Sequence, residues 1–276
     1  LTGLFKFAST PDSDLNVTIN EAKTQLTIQT DVGTTRFSNL NFTASNGIVD
    51  SSAVIVNSIA FSSAFEFGNA LKSSSGSDFV SYASGLTALN NTNTASIHAW
   101  INKDSGKVAN VGNNKDSSNR ISLLCFNDGN AYLSVGNGGN AFGRFSFSTY
   151  EGNWALVSLV FNGLGATNSD RLKAYVNGAE QSLTFVGTIP SSLSSSVATD
   201  FRINSVEISG TFGEAEYDEI VLTSDASTLA QHQAFYNSGN GALGTDSFTN
   251  IFTYWRCNGV DGDTTLIDSV GTATGT

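Results

Sequence analysis

The chain has 276 residues, with 13% charged and 39% hydrophobic residues, 19 Phe and a formal charge of −11. That apolar content excludes a disordered chain and is enough to bury a core without disulfide staples. The acidic balance, with no Lys/Arg cluster, excludes a phosphate-backbone binder and an anionic membrane surface as partners, and no run of 18 apolar residues is present to span a bilayer. The polar positions are dominated by Ser, Thr, Asn and Gly, as in β-proteins that expose hydroxyls and amides. The chain opens on Leu1 and contains no Met, which reads as a processed or partial chain.

In chain order, Leu15-Asn-Val-Thr-Ile and Gln25-Leu-Thr-Ile-Gln show the two-residue alternation of half-buried strands. Leu156-Val-Ser-Leu-Val-Phe and Leu172-Lys-Ala-Tyr-Val repeat that pattern. Turn dipeptides lie between the strands: Asn46-Gly47, Asp128-Gly129, Gly138-Gly139 and Asn177-Gly178, the last predicting a two-residue type I′ hairpin. Many short strands without βαβ alternation predict an all-β, two-sheet antiparallel jelly-roll sandwich, with an additional N-terminal β segment. One short helix is predicted near 227–237, capped by Ser227, with Leu229, Gln233 and Tyr236 on one face and Gly239 as its stop. Three zones follow: 1–60, an N-terminal β segment; 61–245, the sandwich; 246–276, a last strand and a Gly/Thr-rich tail. Cys125 and Cys257 both sit in strand-like runs, readable as two buried thiols or as one disulfide.

The stretch 68–239 resembles the laminin-G-like branch of the concanavalin A-like superfamily in six ordered blocks. They are Gly68-Asn-Ala-Leu-Lys-Ser-Ser-Ser-Gly-Ser-Asp-Phe-Val, Ala95-Ser-Ile-His-Ala-Trp-Ile, Asn153-Trp-Ala-Leu-Val-Ser-Leu-Val-Phe-Asn-Gly, Tyr175-Val-Asn-Gly, the run 212–222 and the run 229–239. One departure is Ala155 after Trp154, where the family has His or Thr. The tail, from Tyr254-Trp-Arg-Cys through Leu266-Ile-Asp-Ser-Val-Gly, resembles the segment that normally opens such a domain, yet here it comes last. Tyr254 and Trp255 need burial, so this first-strand-like piece is expected to complete this sandwich, complete a neighbour's, or start another repeat. Either of the last two makes Tyr254 and Trp255 assembly residues.

Chemistry concentrates in Gly213-Glu-Ala-Glu-Tyr-Asp-Glu. On a regular strand Glu214, Glu216 and Asp218 share a face and Glu219 points the other way. Family-16 glycoside hydrolases of this superfamily carry Glu-x-Asp-x-Glu on such a strand, whereas Glu-x-Glu-x-Asp stands here in a different order. The resemblance also implies a rim calcium, held by Asp218 with loop carbonyls and Asp78. His98 and His232 are the only histidines, too few with two distant cysteines for a zinc pattern. For glycans, Phe142, Arg144 and Tyr150 offer rings and a polar head in the stretch 137–154. The expectation is a non-enzymatic surface adhesion or display module, extracellular or on a virion surface. Its expected partners are glycans or neighbouring subunits, in an oligomer or tandem array. A polysaccharide hydrolase or lyase on the same fold, and a purely structural assembly subunit, are the rivals.

Overall fold

Alternating apolar and polar residues build strands throughout, and the way their two faces are covered decides where a site can lie. The computed structural model describes residues 4–7, 15–19, 26–30, 42–45, 70–72, 79–82, 86–113, 116, 118–197, 201–206, 211–258 and 265–271. The chain divides into two compact units, Leu1–Ala64 and Phe65–Thr276. In the first, β1 (Leu4–Phe7) pairs with β4 (Phe42–Ser45), and β2 (Leu15–Ile19) with β3 (Leu26–Thr30), both antiparallel.

The second unit is the predicted sandwich of two antiparallel sheets. Its strands are β5 (Leu71–Lys72), β6 (Val80–Tyr82), β7 (Thr94–Lys103), β8 (Ala109–Asn113), β9 (Asn119–Cys125), β10 (Asn130–Asn137), β11 (Phe142–Ser146), β12 (Ala155–Asn162), β13 (Leu172–Val176), β14 (Ala179–Gln181), β15 (Thr184–Val186), β16 (Phe201–Ile203), β17 (Ser205–Val206), β18 (Thr211–Phe212), β19 (Ala215–Thr223) and β20 (Ile251–Trp255). One sheet runs β15-β11-β10-β9-β8-β16-β6, and the other runs β14-β13-β12-β7-β19-β20 with β5 also on β19; β17 and β18 pair separately. Between the sheets lie Ala95, Ile97, Ala99 and Ile101 of β7, Val157, Leu159 and Phe161 of β12, and Ile121, Leu123, Leu133 and Val135 of the facing sheet, all buried. The two-residue period puts the intervening residues on the outer faces.

On the β14-to-β20 sheet the outer face is covered as well. After the single turn α1 (Asn168–Arg171), the α-helices α2 (Leu229–Tyr236) and α3 (Gly244–Ser247) bring Phe235 and Phe248 to a second buried cluster with Trp100, Leu156, Val221 and Tyr254. Helix α2 starts one residue later than expected. Thr228 forms a reciprocal capping box with Gln231, and Asn237 closes the helix at φ 46°. The predicted cap, Ser227, is buried in the polar network described below, and the buried helix residues are His232 and Phe235. The Asn177–Gly178 turn does form the predicted hairpin: both residues have positive φ (48° and 82°), and Val176 pairs with Ala179.

The tail belongs to this chain's own sandwich. Strand β20 pairs with β19 through Ile220↔Trp255, Val221↔Tyr254 and Leu222↔Thr253. Of the three places expected for the tail, the structure shows the first, completion of this chain's own sandwich: Tyr254 and Trp255 are both buried within the unit, Trp255 among the residues between the sheets. Aromatic bulk that must leave water finds its nearest cover in the chain's own open edge at β19. Asp268 fastens the following loop by accepting from Tyr254 N–H at 2.9 Å and the Thr253 hydroxyl at 2.5 Å. The cysteines are buried and free.

Candidate functional site

The outer face of the β15-to-β6 sheet carries partly exposed large side chains toward β11, while Asn110, Gly112, Ser122 and Ser134 at its centre are buried. Its composition follows from alternation: Phe145, Leu133, Leu123 and Phe201 point into the core, so Phe142, Arg144, Tyr132, Leu124 and Arg202 point out. The register aligns them. Thr184, Arg144, Tyr132, Leu124 and Asn110 form one cross-strand row. The Tyr132 ring meets Phe142 edge-on at 5.5 Å and Phe126 at 6.2 Å, with interplanar angles of 61° and 90°. Its hydroxyl donates to Asp128 Oδ2 at 2.6 Å, which fixes the ring's direction. Phe142, Tyr132 and Phe126 are half-buried, and Arg144 is exposed.

Of the predicted glycan residues, Phe142 and Arg144 therefore share this face. Tyr150 lies elsewhere: in the turn after β11 its ring packs 5.4 Å from Phe147 and against the core. Tyr132 and Phe126, not singled out from the sequence, stand beside Phe142 on this face. Their signal was present in the alternation of Tyr132 with Leu133, but which outward side chains reach solvent is not written in any one strand.

The acidic strand keeps its expected alternation as far as Asp218 and departs from it beyond. Between Asp218 and Val221 the pairing of β19 with β7 slips at a bulge, and Glu219 takes φ 47°. Glu214 and Glu216 are engaged by lysines, Glu214 with Lys107 at 2.5 Å and Glu216 with Lys72 at 2.8 Å. Asp218 and Glu219 are each 1% exposed. Asp218 Oδ1 accepts the Glu219 N–H at 2.8 Å, Arg256 donates to Glu219 Oε1 at 3.3 Å, and Glu219 Oε2 is buried without a hydrogen-bond partner. Burial pushes Asp218 up to about 7. Burial, with the neighbouring Asp218, pushes Glu219 up to about 8. Ala215 and Tyr217 point into the core, so Glu216 and Asp218 keep the common outer side expected of a regular strand; the bulge that follows Asp218 sets the Glu219 carboxyl beside it in one buried place. Among the described residues no group of three or more His, Cys, Asp or Glu is gathered to hold a metal, and Asp78 lies outside the described residues.

Both histidines lie under α2 in a directed chain. Gly178 N–H donates to His232 Nε2 at 3.1 Å, so a neutral His232 carries its proton on Nδ1 and gives it to Ser158 Oγ at 2.6 Å. Ser158 then donates to His98 Nδ1 at 2.6 Å, and His98 Nε2–H donates to Ser227 at 3.0 Å. Ser227 passes on to Thr223 at 3.1 Å, which ends on the Asp225 carbonyl at 3.1 Å. Burial lowers both imidazoles, His98 well below its ordinary value with His232 adding to the effect, and His232 to about 3. Every donor in this chain has an acceptor, and its members are buried, so it reads as a structural polar seam.

The sequence matches no protein-family model and no curated protein. Solved structures do resemble it. A protein described as carbohydrate-binding from Bacteroides ovatus ATCC 8483 is 16% identical with TM-score 0.54, over 73% of this chain and 56% of that one. The NanB sialidase of Streptococcus pneumoniae, as its K499G mutant, is 16% identical with TM-score 0.43, over 58% of this chain and 26% of that one. The CBM40 of the Ruminococcus gnavus IT-sialidase, bound to α2,3-sialyllactose, is 13% identical with TM-score 0.43, over 60% of this chain and 95% of that one. This chain thus spans little more than half the length of the Bacteroides protein, and that likeness is one of fold.

Proposed function

We propose that the chain is a non-enzymatic glycan-contacting module of an extracellular or virion surface, serving adhesion or display. The observation that carries this reading is the Phe126–Tyr132–Phe142 aromatic group, with exposed Arg144, on the outer face of the β15-to-β6 sheet. Half-exposed rings stack on the apolar faces of sugars, and Arg144 with nearby hydroxyls and amides meets the sugar hydroxyls. The sandwich of the Bacteroides protein, described as carbohydrate-binding, is a fold in keeping with this reading. The engagement of Glu214 and Glu216 by lysines favours binding over cleavage.

Saturation-transfer NMR of the full chain with mixed plant, algal and mucin oligosaccharides is the test, because it registers weak binders. Tyr132→Ala is expected to abolish the transfer, since losing one stacking partner at an exposed face costs about 1–2 kcal/mol of a weak affinity. Unchanged transfer in this variant places the ligand elsewhere, and no transfer from any glycan leaves the assembly-subunit reading.

A second reading is favoured by the orphaned Glu219 Oε2: a calcium ion held by Asp218 and Glu219. Two buried carboxyls that are costly to ionise together become favourable ligands once a divalent cation offsets their charge. The ion would tie the β19 bulge down and would take no part in chemistry. Calcium is expected to raise the melting temperature by about 5–10 °C over EDTA, for roughly 3 kcal/mol of linked binding. Asp218→Asn should erase that difference, and equal melting with calcium and EDTA overturns the reading.

A further inference from the structure

We infer that the segment 228–249, which carries α2 and α3, is an acid-released cover: it lifts as a unit from the outer face of the β14-to-β20 sheet while both sheets stay folded. Two separations allow this. The apolar residues at the cover, Trp100, Leu156, Val221, Phe235, Phe248 and Tyr254, form a buried cluster distinct from the one between the sheets. Lifting the cover opens the smaller cluster and leaves the larger one closed. The neck of the segment is tied independently. Ser224 N–H donates to the Asn250 carbonyl at 3.0 Å, Ser96 Oγ donates to the Asp225 carbonyl at 2.8 Å, and Ser227 N–H donates to Ser96 Oγ at 2.9 Å. These bonds hold the ends of β19 and β20 together when the residues between them move, as a local opening unit requires.

The groups that respond to acid sit where the cover meets the sheet. One cross-strand row, Ser158–His98–Val221–Tyr254, runs across β12, β7, β19 and β20. Phe248 of the cover stacks on His98 at 4.0 Å, and Gly244 lies so close that a Cβ there would meet Val221 Cγ2 at 2.6 Å. His232 belongs to the cover itself. Its Nε2 accepts the Gly178 N–H of the β13–β14 turn, and its Nδ1–H is held by Ser158, which in turn donates to His98 Nδ1. A proton added to His232 lands on Nε2 and sets N–H against N–H between α2 and that turn. A proton added to His98 lands on Nδ1 and leaves the Ser158 hydroxyl hydrogen without its acceptor. Both rings are 0% exposed, so either charge would also stand away from water.

The titratable and charged groups on the packed elements are engaged elsewhere. Tyr175 turns its ring to His232 at 5.5 Å, Tyr236 stacks on Trp100, and the Tyr254 hydroxyl takes the Gly244 N–H at 3.2 Å. Glu180 is with Lys173, Glu216 with Lys72, Lys103 with Glu151, and Arg256 with Glu219 beside Asp218. Asp225 directs Oδ2 to Thr249 and Asn250, and Asp246 is exposed on α3. Among the described residues none of these groups is hydrogen-bonded to either imidazole. Burial keeps both imidazoles neutral in the closed form, and once released they return to the ordinary value of about 6.5. Their hold is therefore complete above pH 6.5 and is lost as pH falls. Each histidine favours the open form about tenfold per pH unit below that value, and the pair about 100-fold. A cover held shut by a factor of about 10³ to 10⁴ at neutral pH, within the range of local opening, is released between about pH 5 and pH 4.5.

Pulsed hydrogen exchange of the full chain tests this, read by peptide mass spectrometry from pH 7 to pH 3.5 and corrected for the intrinsic exchange rate at each pH. Peptides within 228–249 are expected to lose protection by about 100-fold per pH unit below pH 6.5, while peptides of β7, β12 and β19 keep theirs. His232→Gln, which takes up no proton, should lower that slope to about tenfold per unit even if the cover is looser at every pH, and His98→Gln should do the same. Loss of protection in the cover and in the sheets together, at one pH, overturns the inference, as does full protection of 228–249 down to pH 3.5. So does a slope that both variants leave unchanged, since the release would then belong to other groups.

Discussion

Replacing Trp255 by alanine is expected to cost about 3–5 kcal/mol, lowering the urea midpoint of the Phe65–Thr276 unit without changing the slope of the transition. Trp255 is fully buried between the sheets, its ring 6.1 Å from that of Phe201 on the opposite one. It is anchored from both directions, by pairing with Ile220 and by the bridge to Asp268. The surrounding strands are hydrogen-bonded on both sides and have little room to collapse into the void, so the cavity cost adds to the lost transfer energy. For a unit of this size the melting temperature should fall by roughly 6–20 °C. Trp255→Phe should recover most of the loss. If Trp255→Ala melts like wild type while the protein runs as a dimer, then β20 has been supplied by a second copy and the in-chain placement fails.

The second large effect is the pH dependence of stability, which should show a plateau with losses on both sides. The histidines set the acid side. Their folded values lie below the ordinary value of about 6.5, His232 near 3 and His98 well below normal, so folding requires them neutral. Their contribution is complete above pH 6.5 and is lost as pH falls. At pH 3 the His232 share alone is about 4 kcal/mol, because a proton entering this chain would turn an acceptor nitrogen into a donor facing another donor. Asp218 and Glu219 set the alkaline side. Their folded values, near 7 and 8, lie above the unfolded ones, so their contribution is complete below about pH 4 and is lost as pH rises to 7–8.

Between about pH 4.5 and 6.5 the two trends oppose each other and the curve should be nearly flat. Urea midpoints from pH 3 to 9 check this. His232→Leu should reduce the slope below pH 6.5 by up to about 1.4 kcal/mol per pH unit, and Glu219→Gln should do the same above it. The slope counts protons, so a variant that is weaker overall still reports. Slopes unchanged in both variants would show that these groups titrate as freely as in the unfolded chain.

The strand alternation, the Asn177–Gly178 hairpin and the presence of one short helix near 227–237 were all determined by local chemistry. Each depends on neighbours in sequence: the period of two, the positive φ that Asn and Gly tolerate, and an oxygen that reaches back to a helix N–H. For the same reason the sandwich itself was legible. Six local patterns in order leave few ways to bury all their apolar faces at once.

Tertiary structure decided three further matters. The bulge after Asp218 left the alternation of Glu216 and Asp218 intact but turned Glu219 out of the regular strand and reversed the faces beyond it, which no two-residue count could reveal. Ser158, His98, His232 and Ser227, of which His98 and His232 are 134 positions apart in sequence, joined one polar seam because segments distant in sequence lie about 5 Å apart in a sheet. Finally, Tyr132, Phe142 and Arg144 became neighbours through the antiparallel register of β10 with β11. The sequence determines which side chains alternate outward; only the packing of the layers determines which of those outward side chains reach solvent, because burial depends on what is laid over each sheet.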